Sequence, residues 1–466
     1  MRTCRRRIFG AILASCITVQ GAQSADLKWA NDGDVAAMDP MTRQETVQLS
    51  FLSNIYETLV RRDRTMGMEP SLAEKWEQVS PTVWRFHLRK GVTWQDGSPF
   101  TSDDVVFSLQ RILSPSSALR APLAPVKEVR KVDDLTVDFE TVAPDPIFLQ
   151  EQTNLMIMSK AWSEKHNATT PAILGKDENF ALRHAMGTGP FRLVSRDPDR
   201  KTVVERNPNW WDKPQHNLNR VEFNVIHSGP TRVAALLSGE MDMIYSVPPQ
   251  DMKRIAATKG FQLLRTPELR TMFLGFNLRR DELPSSDVKG HNPFRDLRVR
   301  QAFALAIDEP AITSRVMMGL GRPTGMMWGP GVNGYDPAMD VPIKHDVAKA
   351  KKLLAEAGYP HGFRVGFDCT NDRYVMDEQI CTAISAMLAK VGIKVDLHAQ
   401  TKTKFFTKVL PPNQDSDFWM LGWTPTTYDA HNVLFTLLAT NDGKRGQANV
   451  GGYSNPTLDK LIAAIG

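Results

Sequence analysis

Cysteine is scarce in this 466-residue chain, at four residues, and two of them, Cys4 and Cys16, lie in an N-terminal stretch that reads as removable. The other two, Cys369 and Cys381, have no second Cys or His pair nearby at zinc spacing, which argues against a zinc site. The ten histidines are scattered, and none pairs with another at metal-ligand spacing. No G-x-S-x-G elbow and no H-E-x-x-H helix occurs, so hydrolytic chemistry has no positive support, and an amidase or peptidase is only a remote alternative. No G-x-x-x-x-G-K-[ST] occurs and no G-x-G-x-x-G opens a helix, so the Gly187-Thr188-Gly189 loop is not read as a phosphate cradle. Beyond the N-terminus there is no apolar run of about 18 residues, the length of a membrane span. Internal repeats and low-complexity segments are also missing.

Charge of one sign is lacking too, once the N-terminus is set aside. Arg2, Arg5, Arg6 and Arg7 precede an apolar run from Ile8 to Val19, and Gly21 to Ala25 supplies small residues for cleavage. This is the pattern of a secretory signal over residues 1–25, cut after Ser24 or Ala25. A second reading makes Leu13-Ala14-Ser15-Cys16 a lipoprotein box, with Cys16 lipidated. The whole chain carries 57 basic and 52 acidic residues, and the segment holds four of the basic ones. The remaining chain is close to neutral, so neither nucleic acid nor an anionic membrane is expected as a partner. Export permits a disulfide between Cys369 and Cys381; two buried thiols is the other reading.

What is present is a long, locally consistent block. Val83 to Leu88 alternates, with Trp84, Phe86 and Leu88 on one face and Arg85 and His87 on the other, as in a half-buried strand. Asp96-Gly97 marks a turn, followed by a short strand. Thr101-x-x-Asp104 reads as a capping box, and Val105, Leu109, Ile112 and Leu113 follow at helical spacing. The run from Ala73 and Trp76 through W-R-F-H-L-R-K-G-V-T-W-Q-D-G-S-P-F-T-S-D-D-V-V-F-S resembles the identifying block of the extracellular solute-binding proteins of family 5, the peptide- and nickel-type binding subunits of ABC importers. Gly187-Thr188-Gly189-Pro190-Phe191 and the stretch from Asn292 to Asp308 are further matches to that family. Paired Trp210 and Trp211 read as turn and core packing.

The resemblance implies a two-lobed α/β periplasmic-binding-protein fold of the class with an extra N-terminal subdomain. It divides the chain into 26–60 and 187–275 for the first lobe, 61–186 for the extra subdomain and 276–466 for the second lobe. Alternating helices and strands after residue 343 fit a wound α/β lobe independently. Family members continue for roughly sixty residues beyond this C-terminus, so the returning segment of the first lobe is expected to be missing.

Several residues are candidates for the ligand cleft. Asp39, before Pro40, lies near the cleft in the family, and is equally a turn former. Gly422-Trp423-Thr424-Pro425-Thr426-Thr427-Tyr428-Asp429 follows an apolar strand, and loops at strand carboxyl ends are where α/β folds place ligands. In peptide-binding relatives a G-W-x-x-D run supplies an Asp for the peptide ammonium. Here Thr426 holds that position and Asp429 lies three residues on. Either Asp429 substitutes through a shifted loop or the ligand lacks that ammonium; the plain alternative makes Trp423 core and Asp429 a cap. Arg373, in Thr370-Asn371-Asp372-Arg373-Tyr374, stands near an Arg that dipeptide-type relatives use for the ligand carboxylate, and is otherwise an exposed loop residue. Arg suits the role because its planar fork pairs a carboxylate bidentately.

The expectation is therefore a monomeric solute-binding protein without catalysis, cofactor or metal. It would capture a small peptide or peptide-like solute and deliver it to an inner-membrane ABC permease with its ATPase. A ligand-sensing accessory or chaperone of the same fold is the alternative. No His cluster speaks for a nickel chelate.

Overall fold

The computed structural model describes residues 25–43, 45–120, 125–411 and 413–465. The expected signal segment through Ser24, Cys16 included, lies outside the described residues. No helix among the described residues is long and apolar enough to cross a membrane.

Three sheets carry the architecture. The first runs in the order β11 (Met243–Tyr245), β1 (Ala25–Asn31), β10 (Leu218–Val225), β9 (Lys201–Arg206) and β8 (Phe191–Asp197). Strand β1 is parallel to both its neighbours, and the β10–β9–β8 side is antiparallel. The second sheet, β4 (Ala73–Ser80), β5 (Val83–Leu88), β7 (Thr136–Thr141) and β6 (Val126–Asp133), is wholly antiparallel. The third comprises β12 (Thr271–Phe276), β15 (Phe418–Trp423), β13 (Arg364–Thr370) and β14 (Lys394–Gln400). There β13 is parallel to β14 and β15, while β12 runs against β15. A two-stranded ribbon, β2 (Val60–Arg62) and β3 (Met68–Pro70), joins the first helix to the second sheet.

Strand β5 forms as its alternation demands. Phe86 and Leu88 are buried, while Arg85 reaches Asp138 on β7 through two bonds of 2.7 and 2.8 Å. The helix Ser102–Leu113 starts at the capping box: Asp104 accepts the Thr101 N–H at 3.0 Å. The expected short strand after Asp96-Gly97 reduces to a single bridge between Thr93 and Pro99. One apolar core runs through the first two sheets, from Val35 and Phe51 to Phe86, Phe139, Phe148 and Phe223. A second lies under the third sheet and includes Phe294, Phe303, Phe367, Leu388 and Phe418. The extra subdomain is thus fused to the first sheet by shared burial.

Two details fix the joints. An added Cβ at Gly187 would stand 1.8 Å from the Ile55 carbonyl, and one at Gly189 would stand 2.8 Å from it. The Gly-Thr-Gly loop is therefore a backbone contact, with the Gly189 N–H bonded to Ile55 at 2.9 Å. Strand β12 pairs with β15 along its whole length, from Thr271 opposite Trp423 to Phe276 opposite Phe418. Cys369 on β13 and Cys381 on the helix Asp377–Ala389 are joined as a disulfide, with Cα atoms 6.7 Å apart. Trp210 and Trp211 both donate to Glu57, at 3.1 and 2.8 Å, which is a packing role.

Candidate functional site

A cleft of about 4390 Å³ separates the third sheet from the first two. Its walls are the segments that leave the carboxyl ends of parallel strands. Asp32 to Asp34 follow β1, Ser246 follows β11, Asn371 to Met376 follow β13, and Thr424 to Asp429 follow β15. Strand ends expose free backbone groups and loops there, which is why α/β folds recruit ligands at this edge. Met317, Met326 and Met327 add a soft apolar wall that can adapt to different shapes.

On the third-sheet side, Tyr374 organises the charged groups. Its hydroxyl accepts the Gly422 N–H at 3.1 Å and the Arg373 Nε–H at 3.0 Å. The guanidinium carbons of Arg270 and Arg373 lie 5.4 and 5.3 Å from its ring centre. Arg373 also stands 4.9 Å from the Phe406 ring, with its fork exposed to the cleft. Arg270 is also paired with Glu268, its Nε 2.7 Å from Oε1. Among the described residues no carboxylate stands in ion-pair range of Arg373, whose guanidinium rests on aromatic faces. Gly422 makes room: a Cβ there would meet Met272 Sδ at 2.7 Å, Arg270 Cδ at 2.9 Å and Tyr374 Cε1 at 3.0 Å.

The loop after β15 has less freedom than its position suggests. Trp423 is half-buried, lines the cleft and donates to Asn432 Oδ1 at 2.9 Å. Thr426 also lines the cleft, its hydroxyl 3.4 Å from Asn432 Nδ2. Asp429 is a cap: one oxygen accepts the His431 N–H at 2.8 Å and the other accepts from Asn333 Nδ2 at 2.7 Å. At 8% exposure with both oxygens engaged, it does not stand in for the carboxylate missing at Thr426. Tyr428 faces the subdomain, where the Arg62 guanidinium lies 4.1 Å above its ring. Arg62 also donates to the Thr427 carbonyl at 3.1 Å, and Asn154 donates to that of Thr426 at 3.5 Å. The loop therefore bridges the cleft.

Asp39 is the clear correction. It is fully buried, pairs with the equally buried Arg111 of the helix Ser102–Leu113, and is absent from the cleft wall. The local Asp-Pro pattern could not show that its partner lies 72 residues away. Three residues that the sequence did not single out face the cleft instead: Asp145, Glu151 and His431. Burial pushes the Glu151 carboxyl up to about 9, and the charge of Asp145 adds to the effect. Burial also raises Asp145 and holds His431 below the usual imidazole range. Among the described residues no group of three or more His, Cys, Asp or Glu is placed to hold a metal ion.

Residues 67–445 match the family described as bacterial extracellular solute-binding proteins, family 5 Middle. The chain belongs to this family. It is 27% identical over 477 residues to the periplasmic oligopeptide-binding protein OppA of Salmonella typhimurium, covering 96% of this chain and 82% of that one. It is 26% identical over 464 residues to the probable deoxycholate-binding periplasmic protein YgiS of Escherichia coli, covering 93% and 81%. Among solved structures, the binding protein AgaA from A. tumefacien R10, in complex with agropinic acid, superposes with a TM-score of 0.76 at 29% identity, over 94% of this chain and 85% of that one. The family is one of binding proteins, and the cleft between sheets is the corresponding feature of this family 5 member.

Proposed function

We propose that this protein is the periplasmic receptor of an ABC importer and that its solute is a small peptide or peptide-like molecule bearing a carboxylate. Arg270, Tyr374 and Arg373 carry this reading. Two guanidinium groups are held on one aromatic ring at the mouth of a parallel strand, inside a cleft with an apolar wall. Such an array suits a planar anion on an otherwise amphipathic solute. The relatives named for oligopeptide, deoxycholate and agropinic acid support a small organic solute over an inorganic ion. The bound solute would be passed to an inner-membrane permease driven by an ATPase.

Native mass spectrometry of the protein as purified tests the reading, since a tightly held solute survives purification. A released mass with a carboxylate and amide bonds is expected; a bare metal or an uncharged sugar would sink the proposal. Removing the charge of both Arg373 and Arg270, each to Gln, is expected to weaken binding of the retained ligand by about 1.5–3 kcal/mol, which is 10- to 150-fold, by calorimetry. Gly422→Ala is expected to cost about tenfold in affinity with little loss of Tm, because its Cβ displaces side-chain ends and no backbone. Equal affinity in all three proteins would remove the array from the site.

A further inference from the structure

The opposite wall carries a feature that the arginine array does not explain. Asp145 and Glu151 sit on either side of the turn into the short helix Phe148–Gln152, between Pro144 and the body of the subdomain. Both line the cleft. Glu151 is 7% exposed, and its Oε2 has no hydrogen-bond partner. Asp145 uses one oxygen on the Ile147 N–H at 3.0 Å and leaves Oδ2 unpartnered. Neither has a salt bridge to Lys or Arg among the described residues. Across the cleft, Thr424 Oγ1, Thr427 Oγ1 and His431 Nε2 are likewise buried and unpartnered, on the loop that Asn154 and Arg62 tie to this wall.

Buried polar atoms in folded proteins are normally satisfied, and a carboxyl kept only for packing finds a donor. Here unpartnered atoms from two distant segments line the same cleft. The set comprises two carboxyl groups, two hydroxyls and an imidazole nitrogen, each able to accept a hydrogen bond from a cationic group. The charge acting on Glu151 is that of Asp145, a like charge, and Asp145 also acts on His431. Arg62, a cation on this side of the cleft, bonds the Met66 and Thr427 carbonyls and lies over the Tyr428 ring, with its Nε buried and unpartnered. Asp429 is held by His431 and Asn333.

We propose that Asp145 and Glu151, with Thr427 and His431 facing them, form a subsite for a positively charged group of the solute, an ammonium or a guanidinium. The proposal rests on the reading of this cleft as a solute site. It supplies from the first-lobe side the anion that the loop after β15 lacks at Thr426. The cleft then has an acidic wall and a basic wall, which a zwitterionic solute spans. In the protein without solute, burial keeps a proton on Glu151, and an arriving cation takes the place of that proton.

The test uses the full chain freed of retained ligand, in three forms: wild type, Glu151→Gln and Asp145→Asn. The Gln is close to isosteric with a protonated Glu, and thermal unfolding confirms that each form is folded. Probes are di- and tripeptides with one arginine, the same peptides with citrulline in its place, and agmatine, which has cationic ends and no carboxylate. Wild type is expected to prefer arginine over citrulline by about tenfold or more by calorimetry. Both variants lose that preference and keep their citrulline affinity, and agmatine raises the Tm of wild type alone. Equal binding of arginine and citrulline peptides by wild type, with agmatine acting alike on all three forms or on none, overturns the subsite and leaves the peptide reading intact. Stabilisation of wild type alone by agmatine, with no peptide bound, upholds the subsite and overturns the peptide reading. Silence to every probe overturns both.

Discussion

Arg111→Met is expected to destabilise the protein by about 3–5 kcal/mol, although it lies outside the ligand cleft. Arg111 and Asp39 both have 0% side-chain exposure and are paired through bonds of 2.8 and 2.5 Å. Arg111 Nε also donates to the Ala168 carbonyl at 3.1 Å. Asp39 accepts the Met41 N–H at 3.0 Å, and its own carbonyl accepts from Gln48 Nε2 at 3.0 Å. Methionine fills the volume and removes the charge, so a buried carboxylate is left without its counter-ion. Its penalty is the desolvation of an ion, which exceeds the lost attraction. The double variant Asp39→Asn with Arg111→Met should recover part of the loss, because the remaining group is neutral. Urea unfolding of the two single variants and the double variant decides this. Additive losses, with the double the least stable, would mean that the pair is not coupled. Since Asp32 to Asp34 border the cleft in the same loop, the single variants should also bind solute more weakly.

Glu151→Gln is expected to give a stability–pH profile that diverges from wild type as pH rises. In the unfolded chain Glu151 titrates near its ordinary value of 4.5, and in the fold it titrates at about 9. Between those values the native state holds a proton that the unfolded state has released. Stability therefore falls with rising pH over that window, by up to about 1.4 kcal/mol per unit from this group. The loss is absent below 4.5 and complete above about 9. Carboxylates other than Asp145, whose charge acts on Glu151, titrate alike in both proteins and cancel in the difference. Tm measured from pH 5 to pH 9 should show the variant level with wild type at the acid end and more stable at the alkaline end. Parallel profiles would show that Glu151 is ionised throughout.

The contrast between these two acids explains what the sequence could reveal. The block from Ser71 to Leu113 was legible because its signals are local: alternation at Trp84, Phe86 and Leu88, and a capping box three residues wide. The two-lobed α/β fold followed from the family resemblance and from helices alternating with strands. Asp39 lies outside the cleft and Asp429 lines it with both oxygens already engaged, outcomes hidden from the sequence because their partners, Arg111 and Asn333, are 72 and 96 residues away. Burial cancels such an acid as a ligand group, and burial is set by the whole fold. Glu151 failed in the other direction. Its stretch, Pro146-Ile147-Phe148-Leu149-Gln150-Glu151-Gln152, reads as an ordinary short helix. The signal available was a single acid in an apolar run, which gains meaning only when Asp145 and the loop after β15 are brought beside it. Arg373 and Trp423 do line the cleft, because Trp423 ends one strand and Arg373 closely follows another, and both carboxyl ends were readable.

The contact between Arg62 and the loop after β15 has an evolutionary consequence. Its hydrogen bond goes to the Thr427 carbonyl and Asn154 uses the Thr426 carbonyl, so the strap across the cleft reads main-chain atoms at these two positions. Thr426 and Thr427 can drift to other residues without loosening it. A cleft wired this way can change the side chains it shows to a solute by point mutation while the strap across it is inherited unaltered.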